Sequence, residues 1–519
     1  MLFGREFLFR KSKTHAILSN MDGKLFDSWK QYVPDLARVL QKMDEKTIIA
    51  LGVAAFPRII PSLFLKRYAI YCVKDATDID LLRNYTTIYS LEEKHPKIAA
   101  KVHATNYLLG NFAFRAFLKS RKHPFRLLFY QTTPKILEKL EEMKIEWIGN
   151  RPESFSGVLL KGDFRDLVKS LGLPAIPDWR IKREEFLKKS FAELTEKWGR
   201  VPVVQRADFD VAGELGTFFV RTEKDWKEMH DILEKDERYA EVTISPFVDG
   251  LSMSMLGCVT HKGILTSTLQ LQLVDVPEAL HGQYPTGVFL GHDWVYRDWP
   301  ESVEHAAERA TRALGEYLAS RGFHGIFGID FVYDSKTQEI FPIECNPRFT
   351  GALPVYSLMT AAAGVPTVEF FHLMAHLKID ADFDFAAVDE GLKKRLPLSH
   401  ISVTPKGIYS MKLPLAAGIY SFDAKEKSLK YERKGAFYWD FQSDKEFMII
   451  DSVPRVGGTV IQNVPRLFKL IFPRGIARSS SEVEPDIGAL LITLSDALRR
   501  NQEHIESDES VHPTEEELP

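Results

Sequence analysis

Between Lys46 and Asn150 short apolar runs alternate with amphipathic segments, the pattern of strands joined by helices. TIIALGV, from Thr47, and YAIYCV, from Tyr68, read as buried strands, with a short helix over Phe56–Leu65 between them. A helix over Tyr107–Lys119 leads to the strand RLLFY, Arg126–Tyr130, and then to the amphipathic helix PKILEKLEEM, where Pro134 suits a first turn. A doubly wound αβ unit over residues 25–150 follows from this alternation.

Beyond it the period changes repeatedly. Lys161 ends an apolar run and opens a helix that stops near Gly172, after which Pro174 and Pro177 enforce extended chain. VPVVQ, Val201–Gln205, is a buried strand, and Gly213, Gly216 and Thr217 form a glycine turn able to turn backbone N–H groups toward a phosphate, or simply to close a hairpin. Trp226–Leu233 is helical. VTISPFVDGLSMSMLGCVT reads as two strands broken at Asp249 and Gly250, with Ser245–Val248 as a crossing between lobes. The stretch Leu269–Trp294 is read as irregular, a candidate acceptor-substrate loop containing His281, Gln283, Tyr284, His292 and Asp293. Apolar positions at steps of three and four make Ser302–Ser320 a core helix, and Val355–Gly364 and Thr367–Leu377 are two more. From Ser399 short strands with turns predict a small β-rich region over 396–478; then come a serine-rich link at Ser479–Ser481, a helix over Asp486–Arg500 and an acidic, disordered tail.

A composition 27% charged and 45% hydrophobic over 519 residues is that of an ordinary globular protein with several domains. The net charge of -3 gives no general case for nucleic acid or an anionic membrane as partner. Cys72, Cys258 and Cys345 are far apart in apolar contexts, which indicates neither disulfides nor a zinc site and fits a reducing, cytoplasmic setting. The N-terminus lacks the apolar core and cleavage site of a secretory signal, and no stretch reaches the length of a membrane helix.

The chemistry concentrates in FHGIFGIDFVYDSKTQEIFPIECNPRFTG, Phe323–Gly351. Gly325–Tyr333 and Glu339–Glu344 alternate as strands around a polar turn, so a hairpin places Asp330 near Glu344 and Asn346. Two carboxylates and an amide oxygen form a hard oxygen set suited to Mg²⁺ or Mn²⁺, and Arg348 adds a planar cation for phosphate or carboxylate. The alternative, a surface hairpin with solvated acids, is disfavoured because these residues end an apolar run.

The order of these elements resembles the ATP-grasp superfamily, over about Glu45–Leu377, in its carboxylate–amine ligase and biotin carboxylase branches. The resemblance implies an α/β and α+β protein. It would have an N-terminal doubly wound αβ domain, a two-lobed ATP-grasp domain over 151–385 and a small C-terminal β-rich domain. It further implies that Lys161 meets the ATP phosphates, that Gly213, Gly216 and Thr217 form the lid, and that Ser245, Pro246, Phe247 and Val248 hold the adenine. Asp330, Glu344 and Asn346 match the Mg²⁺ ligands, and Arg348 the arginine that steadies an acyl-phosphate. Two positions depart from the family pattern. Gln205 stands where many members have a second lysine, with Arg206 as a candidate substitute, and Ser252 replaces an acidic ribose ligand, with Asp249 nearby. The implied activity is an ATP- and Mg²⁺-dependent ligase that joins a small-molecule carboxylate to an amine through an acyl-phosphate. Bicarbonate activation and a non-catalytic nucleotide-binding protein are the alternatives, and a homo-oligomer stays open.

Overall fold

The computed structural model describes residues 25–99, 102, 105–207, 216–237, 239–280, 287–404, 409–460, 466–500 and 502–504. The acidic tail and the expected site residues Gly213, His281, Gln283 and Tyr284 lie outside the described residues.

The N-terminal alternation yields five strands, β1 (Thr47–Gly52), β2 (Tyr68–Cys72), β3 (Thr87–Ser90), β4 (Phe125–Leu128) and β5 (Trp147–Ile148). They form one parallel sheet in the order β3-β2-β1-β4-β5. Because side chains alternate across a strand, Ile49, Leu51 and Leu127 pack with Phe114, Ile136 and Leu140 on one face. Ile48, Ala50, Ile70 and Leu128 on the other face share a core with Tyr356, Leu358 and Phe370 from the C-terminal half of the chain. Both faces are covered, as a parallel sheet requires.

A second sheet has its own core around Val204, Trp226, Val242 and Ile244. It contains β6 (Trp179–Lys182), β7 (Pro202–Arg206), β8 (Thr217–Phe219) and β9 (Glu241–Pro246), ordered β6-β9-β7-β8 and antiparallel throughout.

The third sheet carries the hairpin. It begins with β10 (Leu251–Thr260), β11 (Gly263–Thr266), β12 (Gln270–Val274), β13 (Phe289–Asp293), β14 (Gly325–Asp334), β15 (Glu339–Asn346) and β16 (Ser399–Val403). The C-terminal strands Phe468–Phe472, Glu446–Ile450, Gly418–Asp423 and Ser428–Arg433 are continuous with it, joined where β13 pairs with β16 and β16 with Phe468–Phe472. Eleven strands thus form one sheet. The stretch Leu269–Trp294, expected to be irregular, supplies two of its strands, and the alternation in LQLQLV is a strand signal that its flanking prolines and glycines obscure. The Ser479–Ser481 segment, expected as a link, lies against this sheet: Val274 N–H donates to the Ser480 carbonyl at 2.7 Å and Ser252 N–H to the Ser480 hydroxyl at 2.9 Å. Cys72, Cys258 and Cys345 are buried free thiols, and among the described residues no helix is long and apolar enough to cross a membrane.

Hydrogen bonds and ion pairs tie the N-terminal unit to the rest of the chain, those at Asn150, Tyr130 and Asp75 among them. The Asn150 side chain donates to the His324 carbonyl and accepts from the His324 N–H, each at 2.8 Å. Phe349 N–H donates to the Tyr130 carbonyl at 3.3 Å. Arg455 reaches Asp75 and Asp80, both at 2.8 Å.

One buried acid gives this fold a pH dependence. Glu369, 3% exposed at the start of the helix Val368–His376, accepts from the Ser357 hydroxyl at 2.8 Å, and burial pushes its carboxyl up to about 7. An unfolded glutamate ionises near 4.5, so between these values the folded chain keeps a proton that the unfolded chain has lost. Stability therefore falls as pH rises through that window and stays lowered above it. Glu369→Gln keeps the acceptor for Ser357 and cannot ionise. It should gain on the order of 3 kcal/mol at pH 8 and little at pH 5, measured by urea unfolding; an equal effect at both pH values would contradict a buried, protonated Glu369.

Candidate functional site

In β14 and β15 the register sets the chemistry. Asp330 lies opposite Glu344 and Gly328 opposite Asn346, so these four positions share one face. A bulge between Asp330 and Phe331 shifts the pairing so that Phe331 meets Pro342; Pro342, lacking an N–H, is accommodated because β15 is the edge strand. Ile329, Phe331 and Cys345 point the other way, into a core with Phe164, Val168 and Leu314. Sequence alternation has sorted apolar from polar across the hairpin.

The polar face is a bonded chain. Asn346 Nδ2 donates to Asp330 Oδ2 at 2.9 Å, and Arg348 Nη2 donates to Asn346 Oδ1 at 2.8 Å. Gln272 Nε2, from β12, donates to Asp330 Oδ1 at 2.8 Å. Burial and the Glu344 carboxylate opposite push the Asp330 carboxyl well above its usual range, against the pull of Arg348 and the two amide donors. The hairpin residues expected together are therefore together, and Gln272 is an addition missed by reading its segment as loop.

A second cluster gathers at the helix Lys161–Ser170. Phe164 and Val168 bury one side of it against the hairpin's apolar face, while Lys161 and Arg165, one turn apart, reach the four-stranded sheet. Lys161 Nζ donates to Thr217 Oγ1 at 2.9 Å, and Gln205 Nε2 donates to the same oxygen at 3.1 Å. Arg165 Nη2 donates to Gln205 Oε1 at 2.7 Å and to Ser245 Oγ at 3.4 Å. Arg165 was not singled out by the sequence, although its spacing from Lys161 is the signal that places both on one helix face. Arg206 does not stand in for the missing lysine: side chains alternate along β7, and Arg206 is buried in an ion pair with Asp236 at 2.9 Å.

Ser245 and Pro246 end β9, pairing with Val203 and Pro202, and residues 247–250 carry the chain from the four-stranded sheet to β10 in the large one. Phe247 is 40% exposed and edge-on to Phe219 at 5.7 Å. Val248 lies on the same crossing. Asp249 is exposed and 3.9 Å from Lys336 in the hairpin turn. Gly216 immediately precedes β8, which begins at Thr217. His292 and Asp293, expected as loop residues, are buried in β13, where Asp293 accepts four backbone N–H groups, those of Val295, Tyr296, Ile476 and Ala477. Another group of possible metal ligands, His230, Asp231 and Glu234, lies on the surface helix Glu223–Lys235, apart from these clusters.

Residues 209–352 match the family model of the ATP-grasp domain. The match takes in β8 to β15 and with them the hairpin, so this segment is similar to an ATP-grasp domain. Among curated proteins it is 23% identical over 237 residues to the C-terminal section of the carbamoyl phosphate synthase large chain of Methanopyrus kandleri, covering 46% of this chain and 40% of that protein. It is 22% identical over 239 residues to the arginine-specific carbamoyl phosphate synthase large chain of Geobacillus stearothermophilus, covering 46% and 21%. The chain thus spans less than half the length of these curated relatives. Among solved structures it is similar in fold to biotin carboxylase from Campylobacter jejuni, with a TM-score of 0.55, 12% identity and coverage of 83% of this chain and 88% of that one. It is also similar to L-amino acid ligase from Bacillus licheniformis, with a TM-score of 0.50, 12% identity and coverage of 90% and 100%.

The base of the hairpin depends on a glycine. Gly325 has φ +78°, and a Cβ there would lie 2.2 Å from His372 Nδ1, which accepts the Ile326 N–H at 3.2 Å while its ring packs on Phe349 at 4.7 Å. Gly325→Ala should cost about 3 kcal/mol or more in urea unfolding, through left-handed strain and the clash together. Adding His372→Ala should recover none of the strain; a fully additive double substitution would show that the two residues do not collide.

Proposed function

We propose that the chain is an ATP-dependent ligase that activates a small-molecule carboxylate as an acyl-phosphate and transfers the acyl group to an amine, with release of ADP and phosphate. The observation that carries this reading is the shared face of Asp330, Glu344 and Asn346, with Arg348 bonded to Asn346. The donor set fits Mg²⁺, or Mn²⁺: two facing carboxylates with an adjacent amide oxygen are hard ligands, and their mutual repulsion is what a divalent cation relieves. When bound there, the ion supplies charge neutralisation for phosphate oxygens.

The chain's own residues supply the rest. Lys161, Gly216 and Thr217 face the phosphates, and Ser245, Pro246, Phe247 and Val248 line the adenine, with Asp249 at the end of the crossing open to a ribose hydroxyl. Gln205 contributes hydrogen bonds without charge. Arg348 is placed to steady the carboxylate and the transferring phosphoryl group, and closure of the four-stranded lobe keeps water from the acyl-phosphate. Gln272 holds Asp330 from the stretch Leu269–Trp294, so that stretch is where the carboxylate substrate approaches the ligands. Position and charge suffice for this chemistry, without a side-chain nucleophile.

ADP release with Mg²⁺ across a panel of carboxylates, amines and bicarbonate tests the reading. Turnover should require a carboxylate and an amine together, and Glu344→Ala should reduce it by about 100-fold. Undiminished turnover in that variant rejects the metal assignment. Release driven by bicarbonate alone moves the reaction to bicarbonate activation, and ATP binding without ADP release under any condition makes the chain a nucleotide-binding protein instead.

A further inference from the structure

Several cations of the four-stranded lobe are held by acids, and Arg165 differs from them. Around the helix Lys161–Ser170, Arg180 pairs with Asp163, Asp166 and Glu241, Lys169 pairs with Asp178, and Arg206 pairs with Asp236. Arg165 has no ion pair among the described residues. Its two hydrogen bonds, to Gln205 Oε1 and Ser245 Oγ, are both made by Nη2 with neutral acceptors, so the N–H groups on Nε and Nη1 make none among the described residues. A guanidinium drawn partly out of water with no acid bonded to it is unfavourable on its own: burial lowers its proton affinity, and Asp178, which pairs with Lys169, offsets that only in part. The neighbouring groups hold it in one place: Gln205 is fixed at its other end by Thr217, which also accepts from Lys161. Two cations one helical turn apart therefore converge on the strand position where Gln205 offers no charge.

We propose that Arg165 is the second nucleotide-facing cation of this site, carried by the helix rather than by the strand, and that its free N–H groups take a phosphate oxygen of ATP. The inference rests on the ATP reading above. Gln205 is then a bracket for the guanidinium, and Ser245 its second support. A guanidinium held in this way keeps its charge fixed and leaves its Nε and Nη1 N–H groups to donate singly to phosphate oxygens, which a lysine at position 205 would replace with one compact charge.

The test compares MgATP and adenosine binding by calorimetry in the full chain. Arg165→Met should weaken MgATP binding by about tenfold or more and leave adenosine binding unchanged. Adding Gln205→Lys to Arg165→Met returns a cation to the same spot from the strand and should restore most of the lost MgATP affinity, a rescue that a merely structural arginine would not show. Should Arg165→Met fail to fold, Arg165→Lys keeps the stem and charge without the guanidinium. It should weaken MgATP severalfold and adenosine not at all. Unchanged MgATP affinity in these variants, or equal weakening of MgATP and adenosine, overturns the role of Arg165 while the ATP reading stands. No MgATP binding by the unaltered chain overturns both.

Discussion

The pairing of β14 with β15 is the constraint on which the site depends. A strand repeats every two residues, so a shift of one position would turn Asp330 and Glu344 into the apolar core and bring Phe331 and Cys345 to the surface. The hydrophobic effect therefore fixes the polar face indirectly, by holding Ile329, Phe331 and Cys345 against Phe164, Val168 and Leu314. The bulge after Asp330 is part of this arrangement, because it lets the acids face each other while Pro342 occupies an edge strand. The same apolar face seats the helix that carries Lys161 and Arg165, so one register sets the surroundings of both polar clusters.

The legible parts of the sequence were those in which the local pattern and the final environment agree. The hairpin, the αβ alternation and the long helix of Glu301–Ser320 each carry their period in consecutive residues. Among the candidate residues, Asp330, Glu344, Asn346 and Arg348 lie within one supersecondary unit, and their meeting needed no long-range information. Lys161 and Thr217 meet across a greater separation, and their association came from the order of elements rather than from any residue pattern.

What was not legible depended on contacts between distant segments. The union of β13 with β16 has no local signature, since any edge with a matching apolar face would serve. Gln272 was hidden because its strand is short and bounded by turn residues. Arg165 was hidden because an arginine on an amphipathic helix is ordinarily solvated; only its setting beside Gln205 and Ser245 distinguishes it. Arg206 shows the converse, a charge that adjacency favoured and strand alternation removed to the opposite face.

The continuity of the large sheet bears on how the protein can be divided. In the eleven-stranded sheet β13 is an interior strand, and the strands after Ser399 are what keep it from being an outer edge. A fragment ending before β16 would leave unpaired the backbone of a strand whose Leu290, His292 and Asp293 are buried, a surface that recruits other chains. The C-terminal strands thus act as a seal on the half that carries the hairpin, and a shortened form of this protein would be expected to associate with itself before it could be assayed.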